Sequence, residues 1–497
     1  MNDRTQGIPS GSFAGCGRLL LLSRQPFTFI YFLNALCYAA PIPNVWFASR
    51  LMKLLLLWGL LIIICDVCTV QRGLKPFHAR GLLLFILWEC LSFTANLDGN
   101  IYRGLQDILY NSIFFFVIYG QESGRDEMQR RNELYRFNQI LIVFMFLAGG
   151  LSLAMFFGRV SFTYYYKGLE FHQGLYARRL NGCIGANAGS VLGLLSIAAS
   201  LINYRIKRKH FALYLLNAFV QLSFISLASS RGAFVTAGAI WIFFCMFYCY
   251  KRWKRKFYYI VPSMALTVCL ILAGIWGYQK GMAGLHSSLG SWVNRTVSHG
   301  QQEKQNGVPR TAGQEKVTLE QAAQRSKREA DITTGRAGMW KAAFKLFSES
   351  PVLGYSNAKP VDHTGRVYVN SAVLSEEDLV KLKEANGYLH NNYIQILLSV
   401  GLCGTAGIAV FILRCACDAY RRRIKRRDRS RDFINALLLS MLGSLMVNSL
   451  FESHLLFHQG DSIGVIFWFY LGFIMRREEE RHVIYTGMYE TNLGSGD

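Results

Sequence analysis

Three basic residues in this chain of 497 residues stand where topology alone does not call for them. Arg231 lies in the turn Ser229-Ser230-Arg231-Gly232, Arg336 opens Arg336-Ala337-Gly338-Met339-Trp340, and His390 opens His390-Asn391-Asn392-Tyr393. A guanidinium is a permanent cation whose planar fork makes paired hydrogen bonds to anionic oxygens. An imidazole can take up or release a proton near neutral pH. Each residue also has a plainer reading. An interfacial Arg binds lipid headgroups or caps helix carbonyls, and a lone interfacial His is usually structural. Their shared side of the membrane, argued below, favours a joint role.

Other polar residues are weaker candidates. Glu89 falls in the apolar run Phe85-Ile86-Leu87-Trp88-Glu89-Cys90. A carboxylate at that depth costs about 2.5–3.5 kcal/mol on insertion scales, so it is expected to face a cavity or a partner. Glu452, His454 and His458 form a Glu-x-His-x-x-x-His stretch. It suits a supporting or acceptor-binding role better than a metal site. The Cys65-Asp-Val-Cys68 pair has no second pair nearby and reads as helix packing. No metal and no cofactor is expected.

The elements that must position these residues are apolar. Hydrophobic residues make up 52% of the chain, with 35 Phe and 25 Tyr, and they gather in runs long enough to span a bilayer. Twelve spans are expected, near 27–44, 54–70, 81–97, 104–120, 138–158, 186–204, 211–228, 232–250, 258–278, 391–413, 433–450 and 461–475. The predicted fold is all-α, a polytopic membrane bundle of about twelve helices. Residues 1–278 hold nine spans, 279–390 a large extracytoplasmic loop with short helices, 391–475 three spans, and 476–497 a cytoplasmic tail. No removable signal peptide is expected, since no short apolar core ends in a small-residue cleavage site.

The net charge of +23 comes largely from short basic connections, including Arg125–Arg136, Arg205–Lys209, Lys251–Lys256 and Arg421–Arg431. This pattern follows the positive-inside rule rather than nucleic-acid binding. Both termini are then cytoplasmic, and the connections 159–185 and 279–390 face outward. Arg231 sits on that outward side, against the charge rule. In the long loop, residues 298–330 read as a solvated surface. Trp340, Phe344 and Phe347 recur at helical spacing up to Pro351, which predicts an amphipathic helix capping the bundle or lying on the membrane, with Trp340 and Phe344 packed inward. Gly401, Gly404 and Gly407 are spaced for close helix packing. No P-loop, GxGxxG or HExxH motif is present, which leaves nucleotide chemistry without support.

Several of these stretches together resemble the O-antigen ligase and polymerase family. They are Arg336-x-x-x-Trp340, Pro351-x-Leu353-Gly354, His390-Asn391-x-Tyr393-x-x-x-Leu397-x-x-x-Gly401-x-x-Gly404 and the Ser230-Arg231-Gly232 turn. The motif resemblance covers roughly residues 179–460; the first 150 residues match in hydropathy alone. One departure is in Arg179-Leu180-Asn181-Gly182-Cys183-Ile184-Gly185-Ala186-Asn187, where the family often has an Asn-Pro-Asn-like element and this chain has no Pro. Arg179 is therefore a second-tier candidate, with Arg178 as its substitute.

The resemblance implies a metal-independent, inverting glycosyltransferase of the bacterial cytoplasmic membrane. Its donor would be a glycan on undecaprenyl diphosphate, and its acceptor a glycan, lipid or protein. Catalytic roles would fall to Arg231 and Arg336, on the leaving diphosphate, and to His390 as base. Substrate contacts would fall to Arg179, Arg178, Asn391, Tyr393, Glu89, Glu452 and His454. Partners would be the lipid bilayer and other envelope polysaccharide assembly proteins, with no nucleic acid. Polymerase, ligase and protein glycosylation stay open. A flippase for the same lipid-linked glycan is the alternative from another class, and an envelope scaffold a third.

Overall fold

The computed structural model describes residues 17, 19–68, 79–97, 101–120, 127–158, 160–166, 169–176, 179–249, 336–356, 361, 366–369, 371–384, 388–424, 429–457 and 460–475. The expected span 258–278, the polar stretch 298–330, Arg178, His458 and the tail 476–497 lie outside the described residues.

The chain is predominantly helical. In order come α1 (Arg24–Ala39), α2 (Ser49–Cys68), α3 (Ala79–Ala95) and α4 (Ile101–Ser112), which runs into a π-helical turn at Ile113–Tyr119. Then follow α5 (Glu127–Phe157), α6 (Ala186–Lys207), α7 (Phe211–Ala228) and α8 (Arg231–Phe244). Later in the chain stand α9 (Arg336–Glu349), α10 (Glu376–Glu384), α11 (Asn392–Ile424), α12 (Arg429–Asn448) and α13 (Ser462–Met475).

Among the described residues, six helices are long and apolar enough to cross a membrane: Pro41–Cys68, Glu127–Phe157, Ala186–Lys207, Phe211–Ala228, Arg231–Tyr248 and Asn392–Ala419. Three more apolar helices are shorter, Gly81–Ala95, Phe433–Asn448 and Ser462–Met475. The expected spans 27–44 and 104–120 correspond to the 16-residue α1 and to α4 with its π-helical turn. Large apolar side chains on the outward faces are exposed, among them Leu54, Leu147 and Phe219. In a bilayer such faces meet lipid, so no aqueous burial is required of them.

The short α13 is apolar and buried on every side, from Ile463 to Met475. A helix apolar all round belongs at a centre. It carries Phe469 into a stack with Phe137 and Phe32, with centroids 3.8 and 4.1 Å apart. Polar side chains bridge the helices too. The Tyr470 hydroxyl donates to Asn138 Oδ1 at 2.7 Å, and Asn138 donates to Asn203 at 3.0 Å. Such contacts tie helices where apolar contact alone gives no preference over lipid.

Two sequence expectations need correction. The fold is not all-α: residues 162–182 form a three-stranded antiparallel sheet, β1 (Phe162–Tyr166), β2 (Leu169–Tyr176) and β3 (Arg179–Gly182), in the order β1-β2-β3. Register pairs Phe162 with Gln173 and Tyr176 with Arg179. The run Phe-Thr-Tyr-Tyr-Tyr is rich in strand-favouring aromatic and β-branched residues, and Gly182 takes positive φ where the sheet turns toward α6. The second correction concerns α9. Its buried face is Met339, Ala342, Ala343 and Leu346, packed in a small second core with Val369, Leu382 and Leu398. Trp340 is partly buried, while Phe344 is half exposed. Small residues at 342 and 343 let α9 sit close against its neighbours, which turns the Phe344 ring outward.

The break in α11 at Gly401 fixes α9 to the bundle. Gly401 has φ 61° and ψ −166° inside the helix. This conformation is essentially restricted to glycine. The carbonyls freed by the break are taken up: Leu398 O accepts from Tyr355 N (2.8 Å), Ser399 O from Ser356 N (2.7 Å), and Val400 O from Trp88 Nε1 (2.9 Å). Leu402 N donates to Pro351 O at 2.8 Å. Irregular backbone in an apolar setting is tolerated when other groups satisfy it in this way. The Pro351-x-Leu353-Gly354 segment and Gly401 are thus two halves of one joint, and a Cβ at Gly401 would collide with Val352 O. Gly404 packs on Trp88, whereas Gly407 faces open space and has no packing role. Gly401→Ala is expected to destabilise the protein by at least ~1–3 kcal/mol, read as a fall in Tm in detergent, with Gly407→Ala unchanged.

Candidate functional site

Six segments meet at one end of the bundle: β3, the start of α6, the α7–α8 turn, the start of α9, the residues leading into α11 and the α12–α13 connection. At their junction is Glu452. Its Oε1 accepts from Arg336 Nη2 at 3.1 Å and from Asn187 Nδ2 at 3.3 Å; its Oε2 is 2.9 Å from His390 Nδ1. Arg336 also donates through Nη1 to Phe451 O. Burial pushes the Glu452 carboxyl up, but the hydrogen bond from His390 and the charges of His390, His454 and Arg336 outweigh it and bring it down to about 2. Glu452 is therefore an ionised acceptor, and His390 Nδ1 is the donor. In the neutral ring, that tautomer leaves the lone pair on the other nitrogen, Nε2.

Arg179 stands at the first position of β3. It donates through Nε to Ala228 O and through Nη2 to Asn187 Oδ1, both at 3.0 Å. These partners carry no charge. Burial, followed by the nearby charge of Arg231, lowers its pKa from the ordinary value. Two guanidinium groups held within electrostatic reach disfavour each other's charge, and an anion between them relieves that cost. Arg231 occupies the first turn of α8, whose N-cap is Ser230. The Ser230 hydroxyl accepts from Ala233 N at 3.4 Å and donates to Asn187 Oδ1 at 3.2 Å. The helix N-terminus adds its own partial positive charge beside Arg231.

The other predicted residues sit around this cluster. Asn391 caps α11, accepting from Tyr393 N and Ile394 N (3.0 and 3.1 Å), and donates to Leu450 O at 3.1 Å. The Tyr393 hydroxyl donates to Met446 O at 2.8 Å. Both hold the frame that carries His390 rather than joining the cluster. His454 Nδ1 lies 2.5 Å from Asp461 Oδ2. Burial works against its imidazolium, yet Asp461 and Glu452 raise its pKa above the usual histidine value. Glu89 is fully buried away from the cluster, with both oxygens accepting from Asn111 Nδ2 at 3.0 and 3.1 Å. Its partner is structural, and Asn111 in turn reaches the α12–α13 connection at Phe457 N.

Sequence reasoning ranked Glu452 too low and passed over Asn187. Asn187 contacts Arg179, Ser230 and Glu452, joining the two halves of the cluster. The available signal was an amide on the first turn of a helix that begins on the same side as Arg231. Among the described residues no group of three His, Cys, Asp or Glu side chains is placed to hold a metal ion. What the arrangement offers is fixed positive charge for an anion next to an oriented imidazole.

Comparison with known proteins touches part of this region. No curated protein matches the chain. Residues 216–409 match the family model described as O-antigen ligase, a stretch holding Arg231, Arg336 and His390 but neither Arg179 nor Glu452. Over that stretch the chain is similar to the O-antigen ligase family.

Proposed function

We propose that the protein transfers glycans from a polyprenyl diphosphate carrier to a hydroxyl acceptor, without nucleotide or metal, on the non-cytoplasmic face of the bacterial cytoplasmic membrane. The acceptor oxygen bonds to the anomeric carbon as the bond to the diphosphate oxygen breaks on the opposite face, which inverts the centre. The acceptor proton passes to His390 Nε2. The negative charge that develops on the departing diphosphate is met by Arg179, Arg231 and Arg336, donors already in position before reaction. The diphosphate is itself the activated leaving group, so no ATP enters.

The observation that carries this reading is that Arg336 and His390 meet on Glu452 from separate segments, while Asn187 links Glu452 to Arg179, which lies within electrostatic reach of Arg231. The placement in the membrane is supported by the opposite end of the bundle. There α5 begins near Arg130 and Arg131, α6 ends with Arg205 and Lys207, and Arg205 stacks over Phe433 of α12. A basic rim of this kind supports reading that end as cytoplasmic, with the cluster on the outer face and both termini inside. Polymerisation is the broader reading, since it requires only the lipid-linked repeat unit; ligation to a surface glycan, lipid or protein uses the same chemistry. Other envelope polysaccharide assembly proteins are expected partners.

The test is a transfer assay with purified protein, a lipid-linked repeat unit, chelator and no nucleotide. A longer lipid-linked glycan supports polymerase activity, and product on an added acceptor supports a ligase. Movement of the donor across vesicles without a new glycosidic bond would favour a flippase.

Glu452→Gln keeps the size and removes the charge that orients both Arg336 and His390. The expected result is a ~10²-fold fall in turnover, on the scale of losing one preorganised contact. A depressed carboxyl contributes stability above its ordinary value of 4.5, and that contribution fades as pH drops toward about 2. The Tm difference between wild type and Glu452→Gln should therefore be full at pH 5–7 and shrink between about pH 4.5 and 2.

A further inference from the structure

Beside the cationic cluster lies a second group of polar residues with a different charge character. It draws on α1, α4, the start of α11 and the α12–α13 connection. Five buried side chains there each leave an atom without a hydrogen-bond partner among the described residues: Tyr31 Oη, Asp107 Oδ1, Asn392 Nδ2, Gln395 Oε1 and Ser453 Oγ. All five are more than nine-tenths buried, with Tyr31 at 0% and Asp107 at 2% exposure.

Contacts tie these elements together. Asn392 Oδ1 accepts from Leu455 N at 3.1 Å and Leu456 N at 3.3 Å. Tyr31 lies within electrostatic reach of Asp461, and Tyr110 within reach of both Tyr31 and Asp107. Arg103, 4.0 Å from Asp107 Oδ2, lies over the Tyr388 ring two residues before His390. The group thus adjoins the segment that carries the imidazole.

A buried polar atom left unmatched costs about 1–3 kcal/mol, so five at one end of a bundle need a reason. The atoms divide into acceptors (Asp107, Gln395), a donor (Asn392) and hydroxyls that do both (Tyr31, Ser453). Sugar hydroxyls are both donors and acceptors, and they complement that mixture. A diphosphate complements it less well, because it has only acceptors and the Asp107 and Gln395 oxygens offer it no donor. This group holds one guanidinium paired with one carboxylate, Arg103 with Asp107, among neutral polar side chains, whereas the cationic cluster gathers Arg179, Arg231 and Arg336.

We propose that this second group is the subsite for the acceptor sugar, with Asp107 accepting from ring hydroxyls and Tyr31, Asn392, Gln395 and Ser453 completing their hydrogen bonds. The assignment rests on the glycosyl-transfer reading above, but sugar binding can be measured without turnover. Full-length protein in lipid nanodiscs is titrated with methyl hexopyranosides and methyl N-acetylhexosaminides, followed by saturation-transfer NMR. Wild type and His390→Ala should bind at least one of these probes. Asp107→Asn and Tyr31→Phe should bind it at least tenfold more weakly. Tyr31→Phe removes a single oxygen and keeps the test open should Asp107→Asn fail to fold. Wild-type affinity in both variants, no binding of any probe to wild type, or a response to NaCl in place of sugar would overturn the proposal. Sugar binding lost in these variants, in a protein that forms no glycosidic bond, would uphold the subsite and reject the catalytic reading alone.

Discussion

Replacing His390 with Ala is expected to slow glycan transfer by about 10²–10⁴-fold, the usual worth of a positioned general base. Binding of the lipid-linked donor should change little, because the guanidinium groups remain. The argument starts from the two ring nitrogens. Nδ1 faces an ionised Glu452 at 2.9 Å, so it carries the proton and Nε2 is the basic atom. The ring cannot swap these roles without losing its hydrogen bond. The scaffold also spares His390 any folding duty of the kind its neighbours have: Asn391 caps α11, and Asn392 binds the backbone of Leu455 and Leu456. A circular dichroism spectrum like that of wild type, with a Tm lowered only by the lost Glu452 contact and with turnover lost, is the expected outcome. Wild-type turnover would remove His390 from the chemistry.

Arg336→Lys is the second large effect, with an expected loss of about 10²–10³-fold in turnover despite retained charge. Arg336 uses one terminal nitrogen on the Phe451 carbonyl and the other on Glu452. A lysine ammonium is a point charge on a flexible stem. It cannot make both contacts in a fixed plane and still present a donor to a diphosphate. Glu452 would then lose the directed hydrogen bond from Arg336 Nη2, and the orientation of His390 would loosen with it. Single-turnover kinetics under saturating donor separates this loss from weaker binding. A variant retaining full single-turnover rate would show that charge alone suffices at this position.

Much of this site was legible from residue types and their placement. Arg231 drew notice because an Arg in a short outward turn opposes the charge rule, and it stands at the N-terminus of α8 beside Arg179. Arg336 and His390 were legible as the openings of a helix and of a span, and both meet Glu452. The period of apolar residues placed α6 and α7 close to their observed positions, whereas α5 already begins at Glu127 and α11 runs on to Ile424, through polar turns beyond the expected spans. Other features depend on contacts between remote segments and leave little trace in local pattern. Glu452 looks like an ordinary loop carboxylate until Arg336, 116 residues away, and His390, 62 residues away, arrive at its two oxygens. Gly401 reads as one of three evenly spaced small residues, yet its role is to break α11 for the Pro351–Gly354 turn, while Gly407 has none. The sheet at 162–182 was hidden because aromatic residues serve equally in strands and at membrane interfaces.

The most direct measurement of the central claim is an experimental structure of the full-length protein with undecaprenyl diphosphate bound. The account predicts the diphosphate between Arg179 and Arg231, within hydrogen-bonding distance of Arg336, with His390 Nε2 turned toward the space beside it. A diphosphate held at the basic rim near Arg205 and Lys207, or bound out of reach of all three arginines, would contradict it.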